Sequence, residues 1–316
     1  MISKMQQETD LEIAIEGLIN AIKERGANSV GMQLPEGFIR QARRISGEIQ
    51  DRCGIPVIIS GRPTYGACDI DKELLGMVDL LFHFGHAGES MGKIIFVEMR
   101  SSIDIRPVVE SAIKYLKGNL ISIVTTVQHL GMIKDAGGIL TSAGKRPLIR
   151  RGSGDGLRYE GQVLGCNASA VDERAEEVLF IGSGRFHPEG IARITKKRVV
   201  AADPYTGRVE TIDPEPLIRR RWGTIAKALG ARVFGVVLSS KMGQYRKKIA
   251  DKIMKEAKDH SIEAHLILLD EVREDLLINL GMDAYINTAC PRIVDDMRHV
   301  ILLNPDEFRE VLRMRG

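Results

Sequence analysis

Apolar positions along this chain fall into short, nearly continuous runs separated by amphipathic stretches. Asp10 to Arg25 carries Leu11, Ile13, Ile15, Leu18, Ile19 and Ile22 at helical spacing and is closed by Gly26. A strand over Ser29 to Leu34 follows, then a turn at Pro35-Glu36-Gly37 and a helix from Phe38 to about Cys53. PVIISG and LLFHFG read as two further strands. The alternation restarts at Asn119, with strands LISIVTTVQ, EGQVLGC, VLFIG and RVVAA and a helix through QHLGMIKDAGGILTSAG. It restarts again at Val233, with strands VFGVVLSS, AHLILLD, DAYINTAC and VILLNP and a helix from Tyr245 to His260. Runs that are apolar throughout suit strands covered by helices on both faces, which predicts parallel α/β structure. The restarts predict three similar α/β domains, 1–112, 113–215 and 216–316. One large doubly wound sheet is the competing architecture.

Composition narrows the class. The chain has 316 residues, 44% hydrophobic and 28% charged, as in water-soluble globular proteins. A net charge of +3 gives no footprint for direct nucleic-acid binding. The runs Lys196-Lys197-Arg198 and Arg219-Arg220-Arg221 read as solvated faces, or else as steering for an acidic partner. The polar start MISKMQQETDLEIAI has no apolar signal region, and no run approaches a membrane span, so a cytoplasmic protein is expected. In that compartment cysteines are more often ligands or core residues than disulfides.

Cys68, Cys166 and Cys290 each follow a predicted strand, one per domain, with Gly, Asn or Pro beside them. Ligands bind at strand carboxyl ends in such domains, and turn-forming neighbours argue against plain core positions. Three thiolates at a shared point are a soft set suited to an iron–sulfur cluster or zinc. Structural zinc would want a fourth ligand. Cys53, at a helix end, reads as packing. Three protein ligands leave one metal position open to substrate.

Other signals are weaker. GSGDG (152–156) reads as a loop. Gly182-Ser183-Gly184-Arg185 follows a strand and suits an anion or a plain turn. Glu36, Asp203 and Gln244 also lie just past strands, as hydrogen-bonding or turn residues. His86 and His187, with Glu89 and Glu189 close behind, suggest the rim of a cleft.

Taken in order, PTYGACDID, HFGHAGE, GCNAS, SGRFHPEG, ADPY and NTACPR resemble the archaeal diphthamide biosynthesis family, the 2-(3-amino-3-carboxypropyl)histidine synthases. The resemblance spans residues 10 to 305. It implies three domains about a pseudo-threefold axis, with Cys68, Cys166 and Cys290 holding one 4Fe-4S cluster. It implies a homodimer, S-adenosylmethionine (SAM) as cosubstrate, a histidine of translation elongation factor 2 as acceptor, and an electron donor. Cleavage of SAM at the methionine γ-carbon, releasing methylthioadenosine, would supply the aminocarboxypropyl group for imidazole C2. The close C-x3-C-x2-C of ordinary radical-SAM enzymes is absent. The SAM pocket is expected from Gly182, Ser183, Gly184, Arg185, Asp203, Tyr205, Thr206, Gln244 and Arg292, with no catalytic side chain beyond the cluster ligands. Arg292 would pair with the SAM carboxylate, or else is a surface arginine. Quinolinate synthase shares the layout and is one alternative, a Lewis-acid dehydratase without SAM. A metal-stabilised, non-enzymatic binding module is the other.

Overall fold

The computed structural model describes residues 15–316. The first expected helix is present over 15–25; its expected start, and the polar segment before it, lie outside the described residues. The chain divides into two compact units, one ending at Pro214 and the other Glu215–Gly316.

The first unit holds two sheets. One contains β1 (Val30–Gln33), β2 (Val57–Ile59), β3 (Leu80–Phe84) and β4 (Ile94–Val97), in the order β2-β1-β3-β4 and parallel throughout. The other contains β5 (Leu120–Thr125), β6 (Arg146–Leu148), β7 (Glu177–Ile181), β8 (Val199–Ala202) and β9 (Val209–Ile212). Its order is β6-β5-β7-β8-β9, parallel except for the final pair. The second unit repeats the first arrangement with β10 (Val233–Ser239), β11 (Glu263–Leu269), β12 (Ala284–Asn287) and β13 (Leu302–Leu303), ordered β11-β10-β12-β13 and parallel. In every sheet the first strand lies between the second and the third. Each sheet therefore has a switch point between its first and third strands, where the carboxyl ends open a crevice. The protein is mixed α/β with three like sheets.

Local sequence explains the layers. In β1, Val30 and Met32 point to the face covered by helix 15–25 and helix Ala42–Cys53, packing with Ile19, Ile45, Ile49, Phe82 and Phe84. Gly31 points the other way, where an added Cβ would lie 2.9 Å from Leu74 Cγ, so only glycine lets helix Lys72–Met77 sit this close. In the second unit Phe234, Val236 and Leu238 meet Ile225, Ile253 and Phe308 from three helices. Burying each such side chain contributes roughly 1.5–3 kcal/mol.

Four features depart from expectation. The helix expected from Phe38 opens as a 3-10 turn over Glu36–Gln41, and the α-helix runs Ala42–Cys53. EGQVLGC is no sheet strand: it makes isolated bridges from Glu160 to Arg151, from Gln162 to Thr125 and from Leu164 to Asn167. Three glycines in and just before this stretch (Gly156, Gly161, Gly165) favour loop over ladder. The arginine run 219–221 is not simply solvated. Arg221 is buried and holds Glu307 through two bonds of 2.7 Å. Likewise Lys197 Nζ donates to Ala175 O (2.6 Å), and Arg198 Nη1 to Glu177 Oε1 (2.6 Å). No described helix is long and apolar enough to cross a membrane.

Candidate functional site

Cys68 lies in the connection from β2 to β3, laid over the carboxyl end of β1. The last residue of β1, Gln33, is 2% exposed; its Nε2 donates to Asp69 O (2.6 Å) and its Oε1 accepts from Asp71 N (3.1 Å). Ser60 Oγ ties the same loop through Asp71 Oδ2 (2.7 Å). Cys166 lies in the connection from β6 to β7, at the end of β5: Thr125 N donates to Gly161 O and Val163 N to Thr125 O. Gln162, 1% exposed, accepts from Arg158 N (2.8 Å) and Tyr159 N (3.2 Å) and donates to Gly156 O (2.9 Å). Asn167 bridges Ser153 O and Ser169 N. At Gly165 an added Cβ would fall 2.0 Å from Phe186 Cε1, so glycine lets the start of helix Phe186–Thr195 press against this loop.

Cys290 has a different address. It follows the third strand of its sheet, β12, whereas Cys68 and Cys166 follow second strands. The expectation of one shared position holds for two cysteines; the position matching Cys290 is taken by Gly85-His86 and Gly182-Ser183 in the other sheets. Asn287, 1% exposed, ends β12, donating to Cys290 O (2.8 Å) and accepting from Ala289 N (3.0 Å). Thr288 hooks to the neighbouring strand through Val237 O (2.7 Å). Cys166 is exposed, and Cys68 and Cys290 are half-buried. Cys53 ends its helix and packs on the first core. Within either unit, among the described residues, no three His, Cys, Asp or Glu side chains are grouped to hold a metal.

The expected SAM residues fall into three groups. At the ends of β7 and β8, Asp203 Oδ1 accepts from Ser183 Oγ (3.0 Å), Tyr205 N (2.9 Å) and Thr206 N (3.3 Å), which joins the loop 182–185 to the turn 203–206. Arg185 already bonds Glu189 and Glu210 at 2.8 Å each, so an anion there would compete with two carboxylates. Gln244 is buried in the 3-10 turn Met242–Gln244 beyond β10. Arg292 is 4% exposed, no surface arginine, with Nη1 2.7 Å from Asp295 Oδ2.

The histidines do not line a rim in the way expected. His86 turns inward, its Nδ1 3.0 Å from Nε2 of the fully buried His83. His187 stacks on Phe180, ring centroids 5.9 Å apart. His129, which the pattern did not single out, is buried against the Tyr205 ring (5.6 Å), and Tyr205 Oη bonds Ser101 Oγ (3.0 Å). His83 Nδ1 and His129 Nδ1 are buried without a hydrogen-bond partner. Burial pushes His83 down to about 3, His86 to about 4 and His129 to about 4, so all three are neutral imidazoles. For His129, Asp203 opposes the shift without cancelling it.

An unfolded histidine takes up a proton near 6.5 and folded His129 only near 4, so its stabilisation is full above pH 6.5 and is lost as pH falls towards 4. The loss for His129 is about 3 kcal/mol. Urea melts of His129→Gln should show a flatter pH dependence between pH 6.5 and 4 than the parent protein; an identical slope would contradict the assignment.

Three like, mostly parallel sheets, each with one cysteine loop at its carboxyl end, define a class: multi-sheet α/β proteins carrying a dispersed set of soft donors. Within that class the chain belongs to the diphthamide synthesis protein family, whose model matches residues 34–315. It is 39% identical to the 2-(3-amino-3-carboxypropyl)histidine synthase of Pyrococcus horikoshii, over 96% of this chain and 91% of that one. It is 29% identical to the enzyme of the same name from Methanocaldococcus jannaschii (98% and 93% covered). A crystal structure of Dph2 from Pyrococcus horikoshii with a 4Fe-4S cluster superposes with a TM-score of 0.87, at 39% identity, covering 96% of this chain and 91% of that one.

The sequence pattern missed Gln33, Gln162, Asn287, His83 and His129. One signal was available: VGMQ and AYIN are otherwise apolar or small strands that end in a primary amide.

Proposed function

We propose that this protein is a 2-(3-amino-3-carboxypropyl)histidine synthase. It transfers the aminocarboxypropyl group of SAM to C2 of a histidine on elongation factor 2, the first step of diphthamide biosynthesis. The observation that carries this reading is 39% identity along nearly the whole length of an enzyme of that name, with a matching fold. The donor chemistry fits a 4Fe-4S group: three cysteines on strand-end loops, each braced by an uncharged amide. Cys68, Cys166 and Cys290 would hold it; bound there, it supplies the single electron that breaks the γ-carbon–sulfur bond of SAM.

The chain's own residues bind and orient. Which of three carbon–sulfur bonds breaks would depend on how the protein orients SAM, so positioning would decide the product. We assign SAM contacts to Gly182–Arg185, Asp203–Thr206, Gln244 and Arg292. The preassembled Asp203 turn and the buried Arg292 support this, since a buried guanidinium suits a carboxylate. The enzyme works as a cytoplasmic homodimer of three-domain chains, with boundaries near 112 and 215, supplied by a one-electron donor.

The test is anaerobic incubation of the reduced protein with SAM. Methylthioadenosine should be the main product, and with elongation factor 2 present the target histidine should gain the aminocarboxypropyl mass. Deoxyadenosine as the main product would overturn the bond choice. No SAM cleavage by a well-loaded protein would favour dehydratase chemistry.

A further inference from the structure

Every cysteine loop is braced by a primary amide that is essentially buried: Gln33 and Asn287 end strands, and Gln162 lies within the Cys166 loop itself. Gln33 is 2% exposed, and Gln162 and Asn287 are 1% exposed. Each amide both donates to a loop carbonyl and accepts from a loop N–H. Gln33 spans Asp69 O and Asp71 N, the residues directly after Cys68. Asn287 spans Ala289 N and the carbonyl of Cys290 itself, and its Nδ2 also reaches Asn304 Oδ1 (3.1 Å). Asn304 in turn donates to Pro291 O (3.1 Å), so the loop is held on both sides of the cysteine. Gln162, four positions before Cys166, gathers Gly156 O, Arg158 N and Tyr159 N while its backbone neighbours pair with Thr125.

The residue type matters. A primary amide is the uncharged side chain that donates and accepts at once in a planar fork. A carboxylate could not donate to the carbonyls and would bury a negative charge beside a thiolate. A lysine or arginine could not accept from the N–H groups. A burial this deep is tolerated only because the polar atoms are paired. A buried amide braces each of the three loops although Cys290 follows a different strand from the other two; Gln33 and Asn287 bond residues at or beside their cysteine, whereas Gln162 pins the turn 156–159 that leads to Cys166.

We propose that Gln33, Gln162 and Asn287 are positioning residues that fix the three cysteine loops and, through them, the geometry of the cluster. The proposal rests on the cluster reading given above. Gln33→Met, Gln162→Met and Asn287→Ala remove the braces without adding charge. Each variant and the parent protein are loaded anaerobically with iron and sulfide. The rate of iron release to a ferrous chelator and the electron paramagnetic resonance spectrum of the reduced protein are then recorded. Each variant should release iron about 10-fold faster, the usual scale for removing a partner that orients a metal ligand, with an altered line shape. Asn287→Gln keeps an uncharged amide that can both donate and accept, and should recover part of the loss. Where Gln33→Met does not fold, Gln33→Asn, which stays uncharged and draws the amide one methylene back from Asp69 O and Asp71 N, provides the comparison. Release rates and spectra matching the parent in all soluble variants would overturn the proposal. A parent protein that takes up no cluster would overturn the cluster reading, and this proposal with it.

Discussion

Replacing Cys68, Cys166 or Cys290 with Ala, one at a time, should strip most of the cluster iron and reduce aminocarboxypropyl transfer by at least about 100-fold. Each cysteine comes from its own sheet, so no neighbouring thiol can substitute for a lost one. Cys53 is the internal control. It ends helix Ala42–Cys53 and packs on the first core, so Cys53→Ala should leave iron and transfer nearly unchanged and cost about 1 kcal/mol of stability. Iron analysis and methylthioadenosine release on the four variants separate the two kinds of cysteine. Full iron and full turnover in Cys166→Ala, the most exposed of the set, would remove it from the ligands.

Arg221→Ala should be the most damaging single substitution outside the cysteine loops, costing about 3–5 kcal/mol in a urea melt. The guanidinium is buried and makes four bonds, two to Glu307 and one each to Val294 O (3.2 Å) and Leu302 O (2.8 Å). Removing it leaves a buried carboxylate and two carbonyls without their donor. Val294 lies within the connection from β12 to β13 that also contains Cys290, and Leu302 directly follows it, so the same variant should also release iron faster. Glu307→Leu in the Arg221→Ala background should restore part of the stability by removing the stranded charge. Restoration should stay incomplete, because Glu307 also accepts from Asn304 N (2.7 Å) in the capping box of helix Pro305–Arg315, a loss of about 1 kcal/mol. A cost under about 1 kcal/mol for Arg221→Ala would show that the pair is not a buried one.

Much of this architecture is legible in the chain itself. Apolar runs such as VGMQL, LISIVT and VFGVVLS can only be strands buried on both faces, and the amphipathic stretches between them can only be their covering helices. That reasoning uses local periodicity, which is a property of consecutive residues, and it reached the parallel α/β class and the restarts at Asn119 and Val233. The three cysteines stood out for the same reason: each sits among turn-forming residues where a core residue would not. Tertiary structure alone decided the rest. EGQVLGC became a loop because no strand offers it a partner beyond the single bridge at Thr125. Cys290 follows a third strand, which strand order reveals and spacing does not. Gln33 meets Asp71 across 38 positions, and Arg221 meets Glu307 across 86. A polar side chain at a strand end looks the same in sequence whether it faces water or braces a ligand loop. Only the folding of distant segments onto one sheet edge removes water from it, and that desolvation turns Gln33 and Asn287 into braces, Arg221 into a buried ion-pair partner and His83 and His129 into neutral imidazoles.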